Sequence, residues 1–141
     1  MIRRFRDSDM EDVINIWLDA SVEAHDFIDR QFWRSKVGDM KDVYLPACET
    51  YVYEDEQGIR GFLSLEGNTL AALFVSPECQ GQGIGRKLVE RAKDLRDHLE
   101  LCVYKDNHKS VRFYETCGFR SVSEKLDKHT GCPESVMRFC A

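Results

Sequence analysis

The sequence predicts an α/β domain, a mixed and mostly antiparallel sheet with helices on both faces, and three observations carry that prediction. Three strand-like runs, Thr50–Glu54, Ile59–Leu65 and Thr69–Val75, are separated only by residues 55–58 and 66–68, each containing a glycine. Connections that short make sequential strands antiparallel neighbours. The third run then passes through a glycine-rich loop and a helical pattern into Leu99–Tyr104, and a crossover of that length pairs its two strands in parallel. Finally, 141 residues with 43% hydrophobic and 32% charged side chains form one domain, residues 1–141, able to bury a core.

Taken in order, Ile2–Phe5 reads as a short strand. Ser8 and Glu11 match the S-x-x-E capping box, and Met10, Val13, Ile14 and Trp17 recur at helical spacing through about Ala20. Residues 21–28 carry no clear period. A second helix is expected from Asp29 to Tyr44, with Trp33, Val37, Met40 and Tyr44 on one face, weakened by Gly38 and ended by Pro46. After the three-strand meander, Pro77 stops the third strand. A helix over Gly83–Asp97 follows, with Ile84, Leu88, Ala92 and Leu95 facing inward, then the strand Leu99–Tyr104. Asp106 and Asn107 cap a shorter helix that Gly118 terminates. Phe119–Ser123 and Ser135–Cys140 close the sheet.

Composition narrows the function. No apolar run approaches a membrane span, and no apolar stretch follows the basic N-terminus, so neither a membrane partner nor a signal peptide is expected. The expected location is cytoplasmic. Six cysteines at 48, 79, 102, 117, 132 and 140 lack metal-like spacing, so no metal is expected and the thiols read as reduced. Cys102, Cys117 and Cys140 sit in apolar patterns and read as buried; Cys79 reads as a surface bystander. A net charge of −5 disfavours a nucleic-acid partner and suits a cationic amine.

The chemistry concentrates at Gln80-Gly81-Gln82-Gly83-Ile84-Gly85-Arg86. Clustered glycines between a strand and a helix imply special dihedrals or a closely approaching ligand. The helix that begins there leaves its first N–H groups unpaired, and with the helix dipole they make an anion site. Arg86 and Lys87 in the first turn suit a ligand with several phosphates. The spacing fits neither the dinucleotide fingerprint G-x-G-x-x-G nor the P-loop.

The stretch does resemble the acyl-CoA pyrophosphate loop of the GCN5-related N-acetyltransferases, the GNAT family: R/Q-x-x-G-x-G/A is matched by Gln80, Gly83 and Gly85. The segment Asn107–Phe119, with Phe113, Tyr114, Gly118 and Phe119, is similar to the family's N-x-x-A-x-x-F-Y-x-x-x-G-F, departing at one position where alanine is commoner. The order of elements over the whole chain is the family's order too, and the flavour is that of its small bacterial members.

The resemblance implies a parallel strand pair that splays around acetyl-CoA, used as co-substrate. It places the amides of Phe74 and Val75 on the pantetheine. The loop Gln80, Gly81, Gln82, Gly83, Ile84 and Gly85, with Arg86 and Lys87, falls on the pyrophosphate, and Asn107 on the CoA arm. Tyr114 resembles the family's general acid, which protonates the departing thiolate. No carboxylate lies on Thr69–Val75, so Glu66 and His25 are the candidates for the base, beside backbone carbonyls and water. Asp26, Phe27, Tyr51 and Tyr53 are candidates to shape the acceptor pocket. The implied activity is direct transfer of an acetyl group to a primary amine of a metabolite or a protein by a monomer or homodimer. The alternative is a non-catalytic acyl-CoA sensor on the same fold.

Overall fold

The structure, a computed structural model describing residues 1–141, is built on one seven-stranded sheet. In chain order the elements are β1 (Ile2–Arg4), α1 (Met10–Ala24), α2 (Arg30–Ser35), α3 (Val37–Asp39), β2 (Glu49–Asp55), β3 (Gly58–Glu66), β4 (Thr69–Val75), α4 (Ile84–Leu95), β5 (His98–Tyr104), α5 (His108–Thr116), β6 (Arg120–Leu126) and β7 (Pro133–Cys140). The strand order is β1-β2-β3-β4-β5-β7-β6, and only β4 and β5 run parallel. The last strand thus inserts between β5 and β6, leaving β6 as a wholly exposed edge.

Alternation along the strands divides the core in two. Tyr51, Leu63 and Leu65 face α4 and α5, and pack with Leu88, Val89, Leu101 and Phe119. Val52 and Phe62, their immediate neighbours, face the other way, onto Val13, Trp17 and Trp33. A bidentate pair from Arg3 to Asp9, at 2.8 and 3.0 Å, ties β1 to the start of α1 and holds the Asp9 carboxyl below its ordinary range. No helix is long and apolar enough to cross a membrane.

The structure departs from the sequence reading at several places. Ser8 does not cap α1. It lies in a 3-10 turn over Asp7–Asp9, and the Asp9 carboxylate takes the Arg6 N–H at 2.8 Å instead. α1 runs on to Ala24, taking in the first half of the stretch without a clear period. The helix expected over 29–44 is broken at Lys36: Asp29 caps α2 through the Gln31 N–H, and Met40–Tyr44 forms a π-helical turn. That wider turn rotates Tyr44 outward, and Leu95, at the last residue of α4, is also exposed. Cys102 and Cys140 are exposed because their side chains fall on outward positions of β5 and β7, whereas Cys79 is buried under the glycine loop, within 3.5 Å of Arg60.

Candidate active site

The break in the sheet is the origin of the site. β3 and β4 pair with one register from Gly61–Val75 to Ser64–Ala72 and another from Leu65–Leu70 onward, so Ala71 is an extra residue in β4. A bulge bends its strand and ends regular pairing. Here β4 meets β5 only at Thr69–Glu100, on the near side of Ala71, and the strands part beyond it.

The register also fixes which backbone groups face the gap. Ser76 donates its N–H to the Arg60 carbonyl at 2.8 Å, and alternation along an antiparallel ladder turns Phe74 toward β3 in the same way. Leu73 and Val75 therefore face the opening, and the Gln80 side-chain amide donates to the Val75 carbonyl at 3.1 Å from that side. Of the two amides expected to meet a ligand, Val75 is turned to the cleft and Phe74 is not. The Phe74 ring still lines the cleft.

On one side of the opening lies a cleft of about 900 Å³. Its wall is the N-terminus of α4, where Gly83 takes φ = 84° as N-cap and no side chain satisfies the first amides. The first ladder bond there comes from Lys87 N–H to the Gly83 carbonyl, so the N–H groups of Ile84, Gly85 and Arg86 project forward unpaired. Gly85 is favoured by contact rather than dihedral: a Cβ there would stand 3.2 Å from the Phe113 ring, a tight approach. Gly81 lines the cleft with φ = 81°.

Side chains complete this wall. Arg86 lines the cleft and donates to the Thr116 hydroxyl at 3.2 Å. Lys87 does not line it, because its ammonium sits 5.7 Å from the Tyr53 ring centroid, over β2 and away from the cleft. Gln82 is likewise outside the lining. The cation that sequence reasoning missed is Lys109: in the first turn of α5, it reaches Gln80 Oε1 at 3.1 Å across the cleft mouth.

Tyr114, on the inward face of α5, is buried between Phe113 and Phe119 at ring-centroid distances of 5.3 and 5.6 Å. It lines the cleft, and its hydroxyl makes no hydrogen bond to protein. Burial pushes the phenol well above the ordinary tyrosine value, so it holds its proton at neutral pH.

Beyond the gap is a second cavity of about 290 Å³, lined by Trp17, Phe32, Trp33, Tyr44 and Tyr104 with the carboxylates Glu66 and Asp127. The two spaces share Trp33, Ala71, Ala72, Phe74 and Tyr104, so they adjoin across the bulge. Asp127, in the turn between β6 and β7, accepts from the Tyr104 hydroxyl, the Thr130 hydroxyl at 3.0 Å and the His129 N–H at 3.1 Å. Burial would raise this carboxyl, yet those donors hold it below the ordinary aspartate value. Glu66 is exposed at its turn, with no ion-pair or hydrogen-bond partner. Tyr51 and Tyr53 face the α4 side and do not line this cavity. Phe27 packs its ring against Tyr104, and Asp26 is exposed.

His25 sits between the two spaces. Its ring stacks on Trp33 at 4.9 Å, Nδ1 lies 2.9 Å from the Ser21 carbonyl oxygen, and Nε2 lies 3.3 Å from the Asn107 side-chain nitrogen. Burial lowers its pKa, partly opposed by the Ser21 hydrogen bond. A ring with both nitrogens engaged has no lone pair to offer an ammonium. Asn107 does cap α5 as expected, accepting the Ser110 N–H at 3.3 Å.

A family model described as an acetyltransferase (GNAT) domain matches residues 46–121. The peptidyl-lysine N-acetyltransferase YiaC of Escherichia coli strain K12 is 33% identical over 97% of this chain and 94% of that protein. YjaB of the same strain, also named a peptidyl-lysine N-acetyltransferase, is 33% identical over 96% of this chain and 92% of its own. The solution structure of apo YjaB superimposes with a TM-score of 0.88 at 28% identity, covering 99% of this chain and 96% of that one. PaiA N-acetyltransferase from Thermoplasma acidophilum, crystallised with coenzyme A, shares the fold at 18% identity: its TM-score is 0.86, over 100% of this chain and 98% of that one.

Proposed function

The chain is an acetyltransferase of the GNAT family, and from that premise we propose that it moves the acetyl group of acetyl-CoA to the side-chain amine of a protein lysine. The observation that carries the reading is the bulge at Ala71, which opens the sheet between a cleft suited to a phosphorylated thioester and a narrow cavity suited to an alkylammonium.

The donor cleft fits acyl-CoA in kind. Three unpaired α4 amides and the flanking Arg86 and Lys109 would hold the pyrophosphate. The Val75 amide and the Asn107 side chain would hold the arm. When bound, acetyl-CoA supplies an electrophilic carbonyl and a thiol leaving group; every other part of the chemistry falls to the protein. Tyr114 keeps a proton on its hydroxyl and delivers it to the departing sulfur. Such a donor is worth about 10²–10⁴-fold in rate.

The acceptor reading rests on the cavity and on the relatives' names. Methylenes would lie against Trp17, Phe32 and Trp33, and an ammonium would face the ionised Asp127 across aromatic faces that favour cations. Glu66, with a free carboxylate on the same cavity, takes the proton from the attacking amine. His25 is released from that role.

The test is thermal melting with acetyl-CoA, beside CoA, ATP and NAD. A ligand at about 100 times its Kd adds about 2.7 kcal/mol, a rise of several degrees for this size. Stabilisation by acetyl-CoA and CoA alone, followed by thiol release with a lysine-containing peptide, is the expected outcome. Absence of stabilisation by either would sink the donor assignment. Stabilisation without turnover on any amine would favour a sensor.

A further inference from the structure

The hydrogen bonds around His25 permit only one arrangement. The Ser21 carbonyl can only accept, so Nδ1 carries the ring hydrogen and Nε2 is a lone pair. The Asn107 amide is oriented independently, because its oxygen accepts the Ser110 N–H and caps α5. Its NH₂ group is therefore the part that meets Nε2 at 3.3 Å. A proton on Nε2 would set one N–H against another. Turning the amide over would give its oxygen to the ring and its NH₂ to the Ser110 N–H, so the conflict would move to the helix cap. Either way a buried donor is left without an acceptor, which is destabilising.

This small chain of groups bridges the two halves of the site. Asn107 lines the donor cleft, and His25 touches Trp33 and Tyr104, which line the acceptor cavity as well. We propose that neutral His25 is a positioning residue that holds the Asn107 amide for acyl-CoA and couples that amide to the aromatic wall of the acceptor cavity. The assignment rests on the reading of Asn107 as a donor-side contact.

Acid is what would release the amide. Of the groups packed on the ring, Tyr104 from β5 is titratable and its hydroxyl is held by Asp127; the charged or titratable groups elsewhere on the cleft are Glu23 from α1, Arg86 from α4, Asp106, His108 and Lys109 at the start of α5, and Glu134 from β7. None of them hydrogen-bonds the imidazole, whose partners are Ser21 and Asn107. The ring is buried and packed by Phe27, Trp33 and Tyr104.

The experiment is an acetyl-CoA affinity titration from about pH 7.5 down to about pH 4.5, a window carried well below the ordinary histidine pKa because burial lowers that of His25, on the wild type, His25→Gln and His25→Phe, with steady-state kinetics beside it. The wild type should bind acetyl-CoA more weakly at the lower pH. His25→Phe keeps a ring on Trp33 but loses the acceptor, and should weaken acetyl-CoA binding about tenfold while saturated kcat changes less than about threefold. His25→Gln offers an oxygen that does not titrate, and should keep neutral-pH affinity within about threefold and lose the acid dependence. His25→Phe binding as the wild type does, or His25→Gln remaining as acid-sensitive as the wild type, would overturn the positioning role alone. Failure of the wild type to bind acetyl-CoA at all would overturn the donor reading beneath it.

Discussion

The two sides of the β4–β5 opening are built by opposite means. The donor side is mostly backbone: the amides at the start of α4, the Val75 amide and glycines whose dihedrals or contacts disfavour a side chain. The acceptor side is mostly side chain: rings from α1, α2, the π-helical turn and β5, and carboxylates from two separate turns. A backbone site tolerates substitution around it and keeps its ligand class. A side-chain site changes its ligand with each replacement. The family's constant donor and the chain's own acceptor are thus assigned to different kinds of construction.

The sharpest way to break that contrast is at Tyr114, the proposed acid and a side chain on the mostly backbone donor side. Tyr114→Phe should lower kcat by about 10²–10⁴ while leaving the acetyl-CoA melting shift intact. Because the phenol is raised by burial, the alkaline fall of the wild-type rate should lie above the ordinary tyrosine value. An unchanged kcat in Tyr114→Phe would remove it as the acid.

A smaller effect is expected at the acceptor carboxylates. Asp127→Asn should lower kcat/KM for a lysine peptide about 10- to 100-fold, the worth of a charge-assisted contact, with the acetyl-CoA shift unchanged. Glu66→Gln should act on kcat rather than on acceptor KM. Loss of acetyl-CoA binding in Asp127→Asn would show that the two sides are not separable. The smallest effect distinguishes two neighbouring lysines. Lys109→Ala should weaken acetyl-CoA a few-fold, and Lys87→Ala less than about twofold, because only the first faces the cleft. Equal losses would place the phosphates on the other side of α4.

This contrast also explains what could be read from the sequence. Gln80, Gly83 and Gly85 lie on one loop at the start of α4, so the proposed donor side appears in the sequence as a motif. The meander, the crossover and the helix capped by Asn107 are local patterns of the same kind, and they are visible. Asp127 and Tyr104 are 23 residues apart and meet only because β7 inserts between β5 and β6. No spacing announces that. Lys87 lies in the loop's register yet points away, since side-chain direction in a first helical turn depends on how the helix packs. The surroundings of His25 are illegible for a related reason: no local pattern reports its burial in an aromatic cluster or its hydrogen-bond distance to Asn107.

The single rung between β4 and β5 has a consequence for how the molecule moves. Two leaves of sheet, β1 to β4 and β5 to β6, are joined along their common edge at Thr69–Glu100 alone. Amides such as those of Leu73 and Val75 therefore have no strand opposite them, and should exchange with solvent far faster than their neighbours in β3. A ligand arm laid against them would take the place of the missing strand. Donor binding of the proposed kind would then supply the hydrogen-bond partners that the sheet lacks at this gap.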